Sequence, residues 1–596
     1  MRPRSEFILI AMLLTAGCCV FLTGLTWGLP SRSADPFLFG QHSVWTGSDI
    51  VRLAGPAGDD PARAADVSGK PLPRDRAIVV TETDAERARI IRRYRLMSYQ
   101  PDEFATFAAL SRMHPSQGDL DPRMYKYGGL WIYPVGALLK AAAATKLAQL
   151  KPDIAWYLDH PKSFGRFYVI ARCYSALWGL AGIVVVYLLV RRICGSAAAA
   201  FSGAACFMLM PIVINAAHEA KPHLAGAVLM LLAVLAAVRF AETGWRRSWL
   251  AASILCGAAI GMVPSALAVI LVLPGMVLLR RGRAPAAATT LAASDPAANP
   301  GQAGLPSLLS SSAAAVLVAL LTFGVANPYV LINLVRGRAV LGSNLENSAA
   351  FYHPDWSGGG VANAAALIVL GMSALLGVAG AGGAVALGLR AIRMRRSLDA
   401  PEIRRRNTGL LLALPAAAAA AQFVLFARAQ PADYARFALP LDIFLAIEAA
   451  VAIGTFIRHD VPRAACLAVL VLSTGLAGAA YLRAFIRDSR EQTSRLIAAA
   501  AIRDRLGLGS HVLATREEPA PWSLPPVDLF RWKLVLPPRT LPQHQAFAGA
   551  ALTIGPAEVR PGTWPRWLRL LTQTPISWAD RPFDIDGGPP ADAAKR

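Results

Sequence analysis

Charge is scarce in this chain. Of its 596 residues, only 16% are Asp, Glu, Lys or Arg, against about 25% in an ordinary soluble domain. That shortfall excludes a water-covered globule of this size. Acid is scarcer than base: 38 Asp and Glu stand against 60 Lys and Arg, a formal net charge of +22. The excess does not describe a nucleic-acid surface, because the arginines gather at the ends of apolar runs rather than along one face. Cysteine is limited to seven residues, all within or beside apolar segments, which excludes a disulfide framework and any cysteine-based metal spacing. No internal repeat of fixed period is present, so neither a solenoid nor the paired-repeat plan of many transporters fits.

Hydrophobic residues are abundant, at 55% of the chain. They fall in runs of about 20, the length that spans a bilayer as a helix. The first run begins behind Arg2 and Arg4 and continues to Leu29, longer than the apolar core of a secretory signal. It reads as a retained helix. Spans are expected near 6–29, 167–190, 196–217, 223–241, 249–264, 265–281, 308–326, 362–390, 408–427, 435–457 and 463–486. The stretch 249–281 is divided in two because Pro264 breaks the backbone ladder and both ends carry arginine. The fold class is therefore an all-α polytopic membrane protein with about eleven transmembrane helices.

Arginine sets the expected orientation. Arg191 and Arg192, Arg239 with Arg246 and Arg247, Arg280 with Arg281 and Arg283, Arg390 through Arg406, and Arg458 with Arg463 mark inside turns. The N-terminus is then cytoplasmic and the C-terminus extracytoplasmic. A bacterial-type inner (plasma) membrane is the expected location. Residues 1–486 form the membrane module, with a first outside loop at 30–166 and a cytoplasmic linker loop at 282–307, rich in Ala, Pro, Gly and Ser. Residues 487–596 form a second outside region. There "EQTSRLIAAAAIRDRLGL" has the spacing of a helix stopped at glycine, and "SHVLAT", "KLVLPP" and "ALTIG" read as strands. A small α/β appendage is expected.

The first outside loop contains the most informative acids. "AERARIIRRYRLM" puts Ile90, Ile91, Tyr94 and Met97 on one helical face, with most arginines off it, a pattern suited to a helix lying on the membrane surface. It leads to "SYQPDEFATF", where Asp102 and Glu103 are adjacent. The ordinary reading is a helix start, whose dipole favours acids. The functional reading is a carboxylate that takes a proton from an acceptor, since neighbouring carboxylates push their pKa values apart. Beyond it, "YKYGGLWIYPVGALLKAAAA" is apolar but broken by Gly and Pro, as in a re-entrant segment with interfacial Tyr and Trp.

Four strings in order resemble the C-type membrane glycosyltransferases, in the branch of the protein O-mannosyltransferases and the lipid A aminoarabinose transferase. "WGLP" (27–30) and "PDEF" (101–104) are similar to the two ends of that branch's first-loop acidic motif, here parted by about seventy residues. "HEAKPHLAGAVLML" (218–231) resembles its Glu-Ala-Arg-Pro-Tyr stretch, with Lys221 in place of Arg and His223 in place of Tyr. "NPYVLINLVRGRAVL" (327–341) and "DYARFALPLDIFLAI" (433–447) are similar to its later helix entries. The resemblance spans roughly residues 6–486. It implies inverting, metal-independent transfer from a polyprenyl-phosphate sugar to an outside acceptor (protein, lipid or polysaccharide), without a cofactor. Asp102 would be the general base and Glu103 would help orient a substrate.

A lipid phosphate leaving group needs fixed cations. Lys126, Lys221, Arg336, Arg338 and Arg436 lie on the expected outside face; snorkelling to lipid phosphate is their ordinary use. Lys221 has the strongest claim, because Glu219, Lys221 and His223 crowd one short turn. His218 and His223 with Glu219 do not make a convincing metal set. His353 and Asp355 sit in a Gly-rich outside loop. A multi-pass transporter or flippase for a lipid-linked sugar is the alternative function, but it would gather its charges near mid-membrane.

Overall fold

The computed structural model describes residues 3–55, 77–281, 305–349, 358–393, 400–428, 432–490, 493–538, 550–556, 576–581 and 583–587. Most of the 282–307 loop, and His353 and Asp355, lie outside the described residues. The chain is largely helical, and the apolar runs form the helices that carry the bundle. In chain order these are α1 (Pro3–Leu22), α2 (Gly47–Ala54), α3 (Asp84–Leu96), α4 (Phe104–Ser111), α5 (Gly129–Ala144) and α6 (Ile154–Asp159). The long α7 (Pro161–Cys194) follows, then α8 (Ala197–Leu209), α9 (Pro211–Ala217), α10 (His223–Thr243), α11 (Arg246–Met262) and α12 (Val272–Arg281). The last group is α13 (Leu305–Ala326), α14 (Pro328–Arg336), α15 (Arg338–Ala349), α16 (Gly358–Gly371), α17 (Ala374–Arg393), α18 (Ala400–Ala427), α19 (Leu439–Phe456), α20 (Asp460–Ser489) and α21 (Ser494–Leu506).

Among the described residues, eight helices are long and apolar enough to cross a membrane, or nine if α8 and α9, bent by 60°, count as one span. The expected eleven is not reproduced by that measure. Pro264 does break 249–281: α11 ends at Met262, and residues 264–271 continue as a 3-10 helix into α12. Neither piece passes as a full span. The stretch 362–390, expected as one span, is two helices. Ser373 interrupts it by accepting the Leu376 amide on its hydroxyl, which caps the start of α17.

The first loop and the C-terminal region form one lobe. A five-stranded sheet runs in the order β1-β3-β2-β4-β5, with β2 (Val512–Thr515) parallel to both β3 (Lys533–Leu536) and β4 (Leu552–Pro556). Antiparallel edges close it: β5 (Phe583–Gly587) beside β4, and β1 (Ile78–Val79), from the first loop, beside β3. The three strands expected from sequence are present, and α21 stops at Gly507, whose φ of +62° suits glycine.

The helix α3 corrects an expectation. It does not lie on a membrane surface but is enclosed by protein. The Tyr94 hydroxyl donates to the Leu524 carbonyl, Arg87 to Leu529, and Arg93 pairs with Glu518. Arg95 is fully buried, bound through two nitrogens to Asp35 at 3.0 and 3.2 Å and to the carbonyls of Trp45 and Leu158. The apolar face was read correctly; the C-terminal lobe, not lipid, covers it. Breaking a buried ion pair strands a charge and costs about 3–5 kcal/mol. Arg95→Met should therefore lower the thermal stability of the purified protein by that order. A loss below about 1 kcal/mol, as for a surface arginine, would contradict the buried pair.

Candidate functional site

The insertion between "WGLP" and "PDEF" does not separate them in space. The Tyr99 amide donates to the Gly28 carbonyl at 2.9 Å, and Gly28 has φ +56° with no room for a side chain beside Tyr99. Arg172, from α7, fastens both strings. Its Nη1 donates to the carbonyls of Leu25 and Trp27, while Nε and Nη2 reach the two Glu103 oxygens at 2.8 and 2.7 Å. Both side chains are completely buried. Glu103 also accepts from the Ser98 hydroxyl at 2.6 Å and the Ala220 amide at 2.7 Å.

Ala220 belongs to the short turn between α9 and α10, so Glu103 ties the acidic loop to the turn carrying Glu219, Lys221 and His223. That turn is pinned further: Trp27 Nε1 donates to the His218 carbonyl, and Ser175 Oγ to the Glu219 carbonyl. The Glu103 oxygens are thus taken up by Arg172, Ser98 and Ala220, and the carboxylate fixes the position of the loop that carries Asp102. Arg172 was missed in the sequence. Its signal is an arginine inside an apolar span, which is costly unless paired.

Asp102 is oriented differently. Its side chain is 32% exposed, and its Oδ2 lies 3.0 Å from Lys221 Nζ and 3.4 Å from Arg436 Nη2. Lys221 Nζ also pairs with Glu219 Oε2 at 3.3 Å, and Glu219 accepts from Asn215. The Arg436 guanidinium lies over the rings of Tyr434 and Phe437, at 5.3 and 5.1 Å. Lys126 stands 5.6 Å from the ring centroid of buried Tyr127. Enclosure of Asp102 opposes its ionisation, but Lys221, Arg436 and Lys126 outweigh that and hold its carboxyl well below the usual carboxylate range.

A small cavity adjoins this group, lined by His223, Met230, Val263, Ser265, Arg436 and Phe437. His223 meets Tyr127 and Phe437 edge-on. Two cations, Lys221 and Arg436, thus hold Asp102, Lys221 is shared with Glu219, and exposed Lys126 adds its field without a contact. Arg336 does not join them. It is exposed at the end of α14 beside exposed Leu334 and Val335, the setting of a snorkelling side chain. Among the described residues, no three His, Cys, Asp or Glu side chains gather where a metal ion could sit.

A depressed pKa leaves Asp102 ionised at neutral pH. The stabilisation from its ion pairs is complete above the ordinary value of 3.8 and is lost as pH falls through the lowered one. Lys221→Met should move protonation of Asp102 to higher pH, read as the carboxyl infrared band lost in Asp102→Asn. An unshifted titration would mean that Lys221 does not govern the carboxylate.

Residues 163–291, which supply Arg172, Glu219, Lys221 and His223, match the family of dolichyl-phosphate-mannose-protein mannosyltransferases. No curated protein matches the chain. Similar solved structures include ArnT from Cupriavidus metallidurans bound to undecaprenyl phosphate, at 19% identity over 70% of this chain and 71% of that one, TM-score 0.39. The apo state of the same protein gives 20% identity over the same shares and the same score. The Archaeoglobus fulgidus oligosaccharyltransferase, in complex with zinc and sulfate, gives 15% identity over 73% of this chain and 52% of that one, TM-score 0.36. Over residues 163–291 the family match agrees with the resemblance to C-type membrane glycosyltransferases drawn from the sequence.

Proposed function

We propose that this chain transfers a sugar from a polyprenyl-phosphate donor to an acceptor at the extracytoplasmic face of a bacterial-type plasma membrane, by inverting single displacement. The observation that carries the reading is a carboxylate, Asp102, held by Lys221 and by Arg436, which also lines the neighbouring cavity. A sugar phosphodiester carries one negative charge. Support also comes from the family matched by residues 163–291, whose name specifies a dolichyl-phosphate sugar.

In the proposed step an acceptor hydroxyl oxygen attacks the anomeric carbon as the bond from that carbon to the phosphate oxygen breaks. The electron pair leaves with the lipid phosphate, whose developing charge meets Lys221 and Arg436. Asp102 takes the hydroxyl proton. In the resting site the same cations make Asp102 a weak base. The donor phosphate competes for them, and as it takes them the basicity of Asp102 rises toward that of an ordinary carboxylate. Donor binding thereby prepares the base.

Incubating purified protein with a panel of labelled polyprenyl-phosphate sugars tests the reading. Wild-type protein should release the lipid phosphate and pass label to an acceptor. Asp102→Asn should lower that rate by about 100- to 10,000-fold while the protein remains folded; transfer at the wild-type rate would remove Asp102 as base. Lys221→Ala should weaken donor binding by about tenfold or more, because a charge-assisted contact to phosphate is lost. Unchanged donor affinity would assign Lys221 to holding the loop alone.

A further inference from the structure

A second cleft lies at the far end of the bundle. Leu439, at the start of α19, lines the Asp102-side cavity, and Thr455, near its end, lines this cleft. Sixteen residues of helix separate them, roughly 24 Å at 1.5 Å per residue. Along its middle, α17 is pressed against α19. A Cβ on Gly380 would stand 2.7 Å from the Leu445 carbonyl oxygen, and one on Gly383 would stand 2.8 Å from that of Glu448. Further along, the helices part. Gly388 of α17 and Gly409 of α18 both face open space, with nothing within 4 Å of where a Cβ would be. A gap opens there, lined from α17, α18 and α19.

Its walls are of two kinds. Leu387, Leu410 and Val451 contribute to an apolar side. Arg390, Arg405 and Arg406 also line it, with Glu448 as the one carboxylate among the described lining residues. The Arg390 guanidinium lies over the Phe456 ring at 5.6 Å, which holds it at the end of the bundle. A cleft with guanidiniums beside an apolar wall fits one class of molecule: an anion carrying a hydrocarbon tail. Guanidinium groups bind phosphate through paired donors, and basic pockets between membrane helices take phospholipid heads. A free phosphate would leave the apolar wall unused. A zwitterionic head would bring an ammonium to three guanidiniums.

We infer that this cleft binds the phosphate head of an anionic membrane phospholipid, with an acyl chain along the apolar wall between α17 and α18. The site is distinct from the Asp102 cavity and uses none of its residues. The test is native mass spectrometry on the full chain in detergent, titrated separately with dioleoylphosphatidylglycerol, dioleoylphosphatidylethanolamine and inorganic phosphate. Phosphatidylglycerol should bind saturably, one per chain, about tenfold more tightly than phosphatidylethanolamine, and inorganic phosphate should not be retained. The double variant R390Q/R405Q should weaken phosphatidylglycerol about tenfold. Gly409→Leu, with every charge intact, should weaken it by filling the wall, and Glu448→Gln should strengthen it. Arg405 is exposed, so its change leaves the packing alone, and helical circular dichroism checks each variant. Equal binding of the two lipids, or unsaturable binding indifferent to the arginine and glycine changes, would overturn the site and leave only annular lipid.

Discussion

The buried pair of Glu103 and Arg172 holds the candidate site together. One carboxylate and one guanidinium, both removed from water, bind each other through two contacts. Their remaining capacity goes to groups from three separate places: the Leu25 and Trp27 carbonyls just past the first helix, the Ser98 hydroxyl in the loop before α4, and the Ala220 amide in the turn before α10. A buried charge that lost its partner would be expensive, so these segments have little freedom to part. The distance from Asp102 to Lys221 is set by this clamp, although neither residue belongs to it.

Adjacent carboxylates thus serve opposite purposes. Glu103 is closed in on every side and fixes geometry. Asp102, one residue earlier, is left partly open and surrounded by cations. The electrostatics of the site follow from that division. Because Glu103 is neutralised privately by Arg172, the charge of Lys221 and Arg436 is directed to Asp102 and to whatever anion enters beside it. Glu219 takes a share of Lys221 and keeps its ammonium in place.

Much of this was legible in the sequence, for identifiable reasons. Apolar runs marked the bundle because lipid demands them. Lys221 and Arg436 stood in strings that resemble a known family, and both meet Asp102. The partner of Glu103 was not legible because it lies within a span, where only the structure shows that Arg172 turns inward. For α3 the periodicity gave the apolar face but not its cover: nothing local says that residues 518–529 will lie upon it. The edge strand β1 is two residues long, too short for any alternation to register. The break at Ser373 was hidden by small apolar residues on either side, among which a capping serine is easily passed over.

The sheet has a consequence for how the protein is made. Leu534 in β3 donates its amide to the Thr81 hydroxyl across 453 residues of sequence, and among the described residues β1 has its ladder partner on β3. At a synthesis rate of about 5–20 residues per second, roughly 20–90 seconds pass between emergence of one strand and of the other. Throughout that interval the loop bearing Asp102 lacks its lobe. A segment made long after the first loop therefore supplies the strand beside β1.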